Sequence, residues 1–570
     1  MHMLTKWGES LDIENVLPEY PRPQLVRGSY LNLNGAWEYA VTGDKDTSPE
    51  FEGEIIVPFA IESALSGVGR ALGADEYLWY RRDIVFPDNF NKGRVILHFG
   101  AVDHTARIWV NGEDVGTHMG GYLAFSYDIT DFLSDVNTIL IRVNDDTDKT
   151  WRARGKQKLK PGKLWHSAVS GIWQTVWCES VPMNYIKDIF IAPVFDEGCV
   201  DILVDGYGDC VATLCGEEFE FAAGEKTRLP VGEMHPWSPE DPFLYELSVS
   251  LDEDQIQSYF AMRKFSVEKD SRGIKRLFLN NHPYYHNGVL DQGYWPDGLY
   301  TAPSDEALYY DILKAKELGF NMIRKHVKVE PMRWYYHCDR LGMLVWQDMP
   351  NGGDRYSPTV VTAPLLTGVH AKDSSYWRFG RRDERGRIAF TRELRDMVTQ
   401  LYNCPCVAMW VLFNEGWGQF DAQYNMDEVL KIDTSRPIDH ASGWHDQGIG
   451  DVKSQHIYYD EYQYKNDKHD RVVVVSEFGG YACNLPENYA DGKIFGYKKF
   501  TSIGDLRSAI LLLYDGQIRP SVRLGLSATV YSQLVDVEQE QSGIISYDRR
   551  QLKIEPEVFE KIIRIAPLRD

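Results

Sequence analysis

The chain contains few cysteines and fewer basic than acidic residues. Eight cysteines in 570 residues are too sparse for a disulfide scaffold, and none forms the Cys-x-x-Cys pair of a structural zinc site. Lys and Arg number 61 against 84 Asp and Glu, which gives a net charge of -23. Nucleic acids and anionic membranes are therefore excluded as expected partners, because binding to either requires a basic surface.

Long hydrophobic runs are also missing. No apolar stretch reaches the ~20 residues that a membrane helix requires, and residues 1–6 lack the apolar run and cleavage site of a secretory signal. We therefore expect a cytoplasmic protein. A composition of 43% hydrophobic and 25% charged residues is that of a folded globular chain. The chain is longer than the roughly 250–300 residues that fold around a single hydrophobic core, so two or three domains are expected.

The first 182 residues have the pattern of short strands separated by turns. Alternating runs occur at residues 94–99 and 105–110, and the second is followed by Asn111-Gly112, a strong hairpin signal. Helical periodicity is almost absent, which predicts a jelly-roll β-sandwich over residues 1–182. Short strands continue over residues 183–267, a segment whose length fits an immunoglobulin-like sandwich.

After residue 268 the hydrophobic period changes. Residues 304–318 have an amphipathic pattern that opens with a helix start signal, and residues 321–324 have the pattern of a strand. A second helix and strand are predicted at residues 331–341 and 343–346. The repetition of β-α units predicts a catalytic (β/α)8 barrel over residues 268–570.

Polar and aromatic residues follow the apolar runs of this segment. Catalytic residues of (β/α)8 barrels lie at the carboxyl ends of the strands, so these positions form the candidate site. The two tryptophans among them are candidates for stacking on the apolar faces of a sugar. For the two histidines and Asp348, the alternative is a hydrogen-bonded barrel residue outside the site. The candidate set comprises Asp291, His326, Asp348, Asn414, Glu415, Trp417, Trp444, His456, Tyr458 and Glu477.

Two of these positions carry a glutamate directly after a hydrophobic run. Glu415 and Glu477 are separated by three β-α units, which predicts that they lie on opposite walls of the barrel mouth. A retaining glycosidase needs two carboxyls about 5–5.5 Å apart, one protonated to release the leaving group and one ionised to attack the anomeric carbon. Either glutamate alone could be an ion-pair partner in a barrel loop. Two of them, one preceded by Asn414, favour the catalytic interpretation.

Together these motifs resemble glycoside hydrolase family 2 in a short three-domain form. The resemblance covers nearly the whole chain, and it implies a jelly roll, an immunoglobulin-like domain and a catalytic barrel. The motifs that carry it are Val57-Pro58-Phe59, Trp79-Tyr80-Arg81-Arg82, Val110-Asn111-Gly112, Gly120-Gly121-Tyr122, Trp237-Ser238-Pro239, Asn321-Met322-Ile323-Arg324, Asn414-Glu415 and Ser476-Glu477-Phe478-Gly479.

The resemblance implies specific roles for site residues. Glu415 would be the general acid/base and Glu477 the nucleophile of a retaining, exo-acting β-glycosidase. Asn414 would hydrogen-bond the 2-hydroxyl of the sugar, and the Tyr458 hydroxyl would orient Glu477. No redox cofactor and no metal are implied, and a carbohydrate substrate is the expected partner. Dimers and tetramers are common among relatives, so a homo-oligomer remains open.

The substrate is indicated by a departure from the family pattern. The glucuronidase branch has an Asn-x-Lys after the last strand that holds the sugar carboxylate, whereas residues 538–543 here read Glu-Gln-Glu-Gln-Ser-Gly. A uronic acid is therefore disfavoured, and a β-galactoside is the first candidate. The alternatives are a β-glucuronidase or β-mannosidase of the same family, or a carbohydrate-binding protein without activity.

Residues 352–386, a long loop rich in Tyr, Trp and Arg, are expected to form part of the substrate wall.

Overall fold

The computed structural model describes residues 3–483 and 494–568, and this part of the chain contains three hydrophobic cores. One core lies in the first 182 residues, a second lies mainly between residues 186 and 262, and the largest fills the remainder. Trp173 and Tyr122 of the N-terminal region belong to the largest core, so the domains are joined by packed side chains. No helix in the described ranges is long and apolar enough to cross a membrane.

The N-terminal domain is a β-sandwich of two antiparallel sheets, which accounts for its period-two pattern. The strand Asn137–Asn144 shows this directly, because its side chains alternate between buried and half-buried. In spatial order the first sheet contains Tyr30–Asn32, Val176–Val181, Arg94–Phe99 and Phe125–Asp128. The second sheet contains Gly53–Val57, Gly35–Thr42, Tyr77–Ile84, Asn137–Asn144, Thr105–Val110 and Glu113–Met119.

Two strands of this domain, Gly171–Ile172 and Val176–Val181, are separated by three residues. Between them, the carbonyl of Trp173 accepts a hydrogen bond from Thr301 of the barrel at 2.6 Å. This segment therefore makes contact with the third domain.

The second domain is a smaller sandwich of seven strands. One sheet contains Asp188–Val194, Cys199–Asp205 and Thr227–Pro230, and the other contains Glu217–Ala222, Asp209–Leu214, Tyr245–Leu251 and Asp254–Phe260. A three-stranded sheet of Phe265–Lys269, Lys275–Leu279 and His282–Pro283 then leads into the third domain.

The third domain is a nearly closed barrel of eight parallel strands. Labelled β1 to β8 in chain order, they are His286–Asp291, Met322–Lys325, Leu344–Asp348, Val407–Val411, Ile438–Asp439, Val452–Ile457, Val472–Gly479 and Ala528–Ser532. Their spatial order is β5-β4-β3-β2-β1-β8-β7-β6, and the Asp451 N–H bonds the Ile438 carbonyl at 3.1 Å where β5 meets β6. Burial on both faces explains the apolar runs of strands such as β4 and β7, whereas the residues of β6 alternate between buried and half-buried.

Helices surround the barrel and begin where the sequence signals them. The Ser304 hydroxyl accepts a hydrogen bond from the Ala307 N–H at 3.1 Å and caps the first barrel helix. The described α-helices are Lys6–Glu9, Asp305–Glu317, Met332–Leu341, Pro358–Val361, Ala363–Thr367, Glu384–Gln400, Ala422–Leu430, Ile503–Leu513, Arg519–Leu524 and Pro556–Ile563. The predicted combination of jelly-roll-type sandwich, immunoglobulin-like sandwich and (β/α)8 barrel is confirmed.

Candidate active site

Glu415 and Glu477 come from opposite sides of the barrel. Glu415 follows β4 in a left-handed conformation, φ 48°, and its N–H bonds the Ser442 carbonyl beyond β5 at 2.9 Å. Glu477 lies within β7. One carboxylate oxygen of each residue and a ring nitrogen of His456 lie within 4.8 Å of one another. The two carboxyls can therefore act on the same bond of a bound molecule.

Tyr458 and His456, both from the end of β6, contact this pair. The Tyr458 hydroxyl donates to Glu477 Oε2 at 2.6 Å and lies 3.1 Å from Glu415 Oε1. Burial and the two carboxylates raise the pKa of Tyr458 well above its usual value, so it remains a proton donor. His456 Nδ1 lies 2.9 Å from Glu415 Oε1, and burial lowers the pKa of His456 to about 3. A neutral imidazole and a phenol thus hold the two glutamates in place.

Arg324, at the third position of β2, connects four elements of the site. Its guanidinium holds Asp348 through two hydrogen bonds of 2.9 and 3.0 Å, and it bonds Asn414 Oδ1 at 2.8 Å. It also donates to the Ser476 carbonyl at 3.0 Å and to Glu477 Oε1 at 3.3 Å. Burial opposes its charge, but Asp348 and Glu477 outweigh that effect and raise the pKa of Arg324. In the sequence, Arg324 follows an apolar run and belongs to a family motif, but it was not among the candidate site residues.

The two glutamates have different surroundings. Burial raises the pKa of Glu415 to about 7, although the Tyr458 hydroxyl and the charges of Lys156 and Arg324 act to lower it. Glu415 therefore keeps a proton near neutral pH, as a general acid requires. Glu477 receives hydrogen bonds from the Tyr458 hydroxyl at 2.6 Å and from the Arg324 guanidinium at 3.3 Å, and these two donors fix the orientation of its carboxylate. One carboxyl is suited to give a proton and the other to attack.

Several buried polar atoms in this part of the barrel have no hydrogen-bond partner among the described residues, and they include Asn414 Nδ2, His326 Nε2 and Trp444 Nε1. Such atoms are rare in folded proteins and indicate a missing polar partner. His326 Nδ1 lies 3.0 Å from Gln292 Oε1, and burial keeps the pKa of His326 well below its usual value. Its Nε2 is therefore a free acceptor, 3.7 Å from Glu477 Oε1. Donors and an acceptor of this kind suit a molecule rich in hydroxyl groups.

The predicted stacking residues lie on two sides of the glutamates. The Trp417 ring lies 5.8 Å from that of His326, and the Trp444 ring lies 5.5 Å from that of His456. Trp444, His456 and Tyr458 line a cavity of about 410 Å³. The helix Ala363–Thr367 of the predicted wall loop reaches the same cavity through Pro364, Leu365 and Thr367.

The two aspartates of the candidate set differ in position. Asp348 is bound by Arg324, and burial raises the pKa of Asp348 to about 6 against the opposing charge of that guanidinium. Asp291 accepts hydrogen bonds from the ammonium of Lys325 and the N–H of Gly293. Lys325 also bonds Glu330 at 2.8 Å, so Asp291 belongs to an ion-pair network beside the glutamates. Within the described residues, the structure connects Asp348 to Glu477 and Asn414 through Arg324 and does not bring Asp291 there.

Residues 151–170 of the first domain form one wall of the barrel mouth. A search limited to the carboxyl ends of the barrel strands did not identify them. The Trp165 and Trp417 rings lie 5.0 Å apart, and Arg154 N–H bonds the Asn351 carbonyl at 2.9 Å. Lys156 and His166 from the same segment meet Glu540, which follows β8. The contact joins residues nearly 400 positions apart in the chain, and no local sequence pattern signals it.

The group Glu415, His456 and Glu477 has the geometry of a metal site. The Arg324 guanidinium contacts two of its three members, at 3.3 Å from Glu477 and 3.4 Å from His456 Nε2. A fixed positive charge at this position repels a second cation. The residues present do not fit a resident metal ion, and metal-independence remains a prediction.

Comparison with known proteins agrees with this architecture. Three domain models match: the glycosyl hydrolase 2 galactose-binding domain-like model at residues 70–180, the glycosyl hydrolases family 2 model at residues 200–263, and the family 2 TIM barrel model at residues 272–480. The chain therefore belongs to glycosyl hydrolase family 2.

Among curated relatives, a β-galactosidase of Thermoanaerobacter pseudethanolicus is 24% identical over 63% of this chain and 48% of its own length. The chain thus spans about half of that relative. Solved structures share the fold: a β-D-glucuronidase of Dictyoglomus thermophilum has a TM-score of 0.73 at 17% identity, covering 95% of this chain and 98% of that one. A galacturonate-bound family 2 β-galacturonidase of Eisenbergiella tayi has a TM-score of 0.70 at 17% identity, covering 96% and 99%.

Replacing Arg324 with Lys tests its positioning role. Lysine keeps the charge but cannot form the two-pronged contact with Asp348 while also holding Asn414 and Glu477. We expect the kcat for an aryl β-glycoside to fall about 100-fold. Arg333→Lys is a matched control, because Arg333 holds Asp305 by a similar pair of bonds of 2.7 and 2.6 Å on the helix Met332–Leu341. Equal kcat values for the two variants would contradict the role of Arg324.

The raised pKa of Glu415 predicts a dependence on pH and on the leaving group. Since the acid form is lost above a pKa of about 7, kcat/KM for glycosides with poor leaving groups should decline as the pH rises through that value. A dinitrophenyl glycoside needs no proton, so its glycosylation step should decline far less. Pre-steady-state kinetics give the rate of the glycosylation step for each substrate at each pH. If the two pH profiles are superimposable, they argue against Glu415 as the acid.

Proposed function

We propose that the protein is a retaining, exo-acting β-glycosidase that hydrolyses neutral β-linked sugars, with a β-galactoside as the first candidate. The observation that carries the proposal is that one carboxylate oxygen of Glu415 and one of Glu477 lie within 4.8 Å of each other. Retaining enzymes hold their carboxyls about 5–5.5 Å apart, whereas inverting enzymes leave about 6.5–9.5 Å for a water molecule.

The proposed reaction has two displacements. Glu477 attacks the anomeric carbon, and the glycosidic C–O bond breaks while Glu415 gives its proton to the leaving oxygen. Glu415, now ionised, takes a proton from a water molecule whose oxygen attacks the same carbon. The bond to Glu477 breaks, and the sugar leaves with the configuration it had at the start. Asn414 Nδ2 and His326 Nε2 supply a donor and an acceptor for sugar hydroxyls.

The nearby cationic side chains are already paired with carboxylates of the protein, and this supports a neutral sugar as the substrate. Arg324 is bound to Asp348 and Glu477, and Lys156 is paired with Glu540 at 3.0 Å. Neither charge is left for a sugar carboxylate.

The exo mode is supported by walls on two sides of the barrel mouth, residues 151–170 and 352–386. A cytoplasmic location is part of the proposal, and the free thiols of all eight cysteines support it.

The second candidate is a β-uronosidase, since the structural relatives named above are a glucuronidase and a galacturonidase. Their 17% identity supports the fold and leaves the substrate open. A panel of aryl β-galactoside, β-glucoside, β-mannoside and β-glucuronide separates the candidates. Fastest hydrolysis of the glucuronide would overturn the neutral-sugar proposal, and binding of sugars without any hydrolysis would indicate a carbohydrate-binding protein.

Covalent labelling tests the assignment of the nucleophile. A 2-fluoro glycoside of the preferred sugar should inactivate the enzyme and add one glycosyl group to the peptide that carries Glu477, as read by mass spectrometry. Glu477→Ala should lose at least about 1,000-fold in kcat and regain activity with azide, giving a glycosyl azide of inverted configuration. A label on any other residue would refute the mechanism.

A further inference from the structure

Tyr497 is an aromatic residue beside the catalytic pair that the reaction described above does not use. It directly precedes the short strand Lys498–Phe500, which pairs with Tyr481–Cys483 just after β7. Its N–H bonds the Gly480 carbonyl at 2.9 Å, and Gly480 follows Glu477 by three residues. The backbone of Tyr497 is therefore attached to the end of the strand that carries the proposed nucleophile.

The Tyr497 ring stacks face to face on the ring of Tyr458. The two centroids are 3.7 Å apart and the two planes differ by 13°. The rings of Phe495 and Tyr459 meet Tyr497 edge-on, each with centroids 5.6 Å from its own. Gly480 has a φ of 65°, and a Cβ there would collide with the Tyr497 ring. The ring is thus fixed by several neighbours and forms a flat support for one face of Tyr458.

Tyr458 must place a single hydroxyl between two carboxyls. This hydroxyl donates to Glu477 Oε2 at 2.6 Å and lies 3.1 Å from Glu415 Oε1. A third group, His456 Nδ1, lies only 3.4 Å from it. The hydroxyl is at the far end of the ring, so a small rotation of the side chain is enough to move it away from Glu477. Errors of this kind are costly, since a displacement of about 1 Å in an active site can lower a rate about 100-fold.

We propose that Tyr497 is a positioning residue of the reaction, whose ring holds the Tyr458 ring at the angle at which one hydroxyl meets both Glu477 and Glu415. The proposal rests on the proposed function and deepens it. Tyr497 acts through Tyr458, because its observed contact is with that ring. Stacked aromatic pairs are stabilised beyond the area that they bury, and the flat contact restricts rotation of the partner.

Displacement of Tyr458 has a consequence for the acid/base residue. Burial raises the pKa of Glu415 to about 7, and the Tyr458 hydroxyl acts against that rise. The other titratable or charged groups around Glu415 are Glu477, His456, Lys156, Arg324 and Glu540. Substitution of Tyr497 changes none of them. If Tyr458 moves away, the pKa of Glu415 rises further and its acid form persists to higher pH.

Tyr497→Leu, compared with Tyr497→Phe, provides the test. In Tyr497→Leu we expect kcat for the preferred aryl β-glycoside to fall about 10-fold, the effect of losing one stacked pair. KM should stay within about 2-fold, because no contact with the sugar is removed. The alkaline limb of kcat/KM for a glycoside with a poor leaving group should move to higher pH. Tyr497→Phe keeps the ring, so it should retain most of kcat and the pH profile of the wild type.

Phe90→Leu is a matched control for the loss of a stacked ring. Phe86 and Phe90 are half-buried in the first domain, and their rings stack at 5.1 Å with planes that also differ by 13°. This variant should leave kcat and the pH profile unchanged. Tyr497→Met fills the space of the ring with a flexible side chain that has no flat face. It should behave like Tyr497→Leu, so the test can be made if the leucine variant folds poorly.

A double-mutant cycle separates positioning from general damage. Tyr458→Phe has no hydroxyl to place, so adding Tyr497→Leu to it should lower kcat by less than about 2-fold more. Fully additive losses would contradict the proposal, as would a loss of kcat in Tyr497→Leu without a shift of the alkaline limb. Equal losses in the leucine and phenylalanine variants would assign the effect to the Tyr497 hydroxyl and overturn the role of the ring.

The same measurements distinguish this inference from the proposed function. If the wild type hydrolyses no glycoside, the proposed function fails and this inference fails with it. If the wild type is active and Tyr497→Leu retains its kcat and pH profile, the proposed function stands and only the role of Tyr497 is overturned.

Discussion

The buried guanidinium of Arg324 is the interaction on which the rest of the site depends. It binds residues from β3, β4 and β7 at once: Asp348, Asn414, Ser476 and Glu477. A buried charge must be paired and hydrogen-bonded, so these elements can meet only where their acceptors surround the guanidinium. The position of Asn414 relative to Glu477 is fixed by this requirement, because both side chains accept hydrogen bonds from the same guanidinium.

The two glutamates show how one chemical group acquires two functions. Glu415 is buried next to a neutral histidine, and its pKa rises to about 7. Glu477 accepts hydrogen bonds from an arginine and a phenol, which fix the orientation of its carboxylate. The proposed division into acid and nucleophile therefore arises from the neighbours supplied by β2 and β6.

Much of the fold was predictable because the spacing of apolar residues along the chain shows which faces of a strand or helix are buried. Strands of the sandwiches alternate, the barrel strands β4 and β7 contain continuous apolar runs, and the helix after Ser304 has a capping residue. The strand-end rule also collected Asn414, Glu415, His456, Tyr458 and Glu477 around one point. It treated each position independently, however, and so could not tell that Asp291 pairs with Lys325 while Asp348 pairs with Arg324.

The remaining features depend on contacts between distant parts of the chain. Lys156, Trp165 and His166 belong to a sandwich whose pattern gives no sign of a nearby barrel, and they reach the mouth only once the domains pack. The same packing pairs Lys156 with Glu540 at 3.0 Å, whereas residues 538–543 had shown only that a lysine was missing.

The stereochemistry of hydrolysis tests the central claim most directly. Proton NMR of the first sugar released from an aryl β-glycoside, recorded before mutarotation, distinguishes the α and β anomers. A pair of carboxyls within 4.8 Å predicts that the β anomer appears first. Initial release of the α anomer would contradict the account, because it would require a water molecule between Glu415 and Glu477 in place of a covalent intermediate.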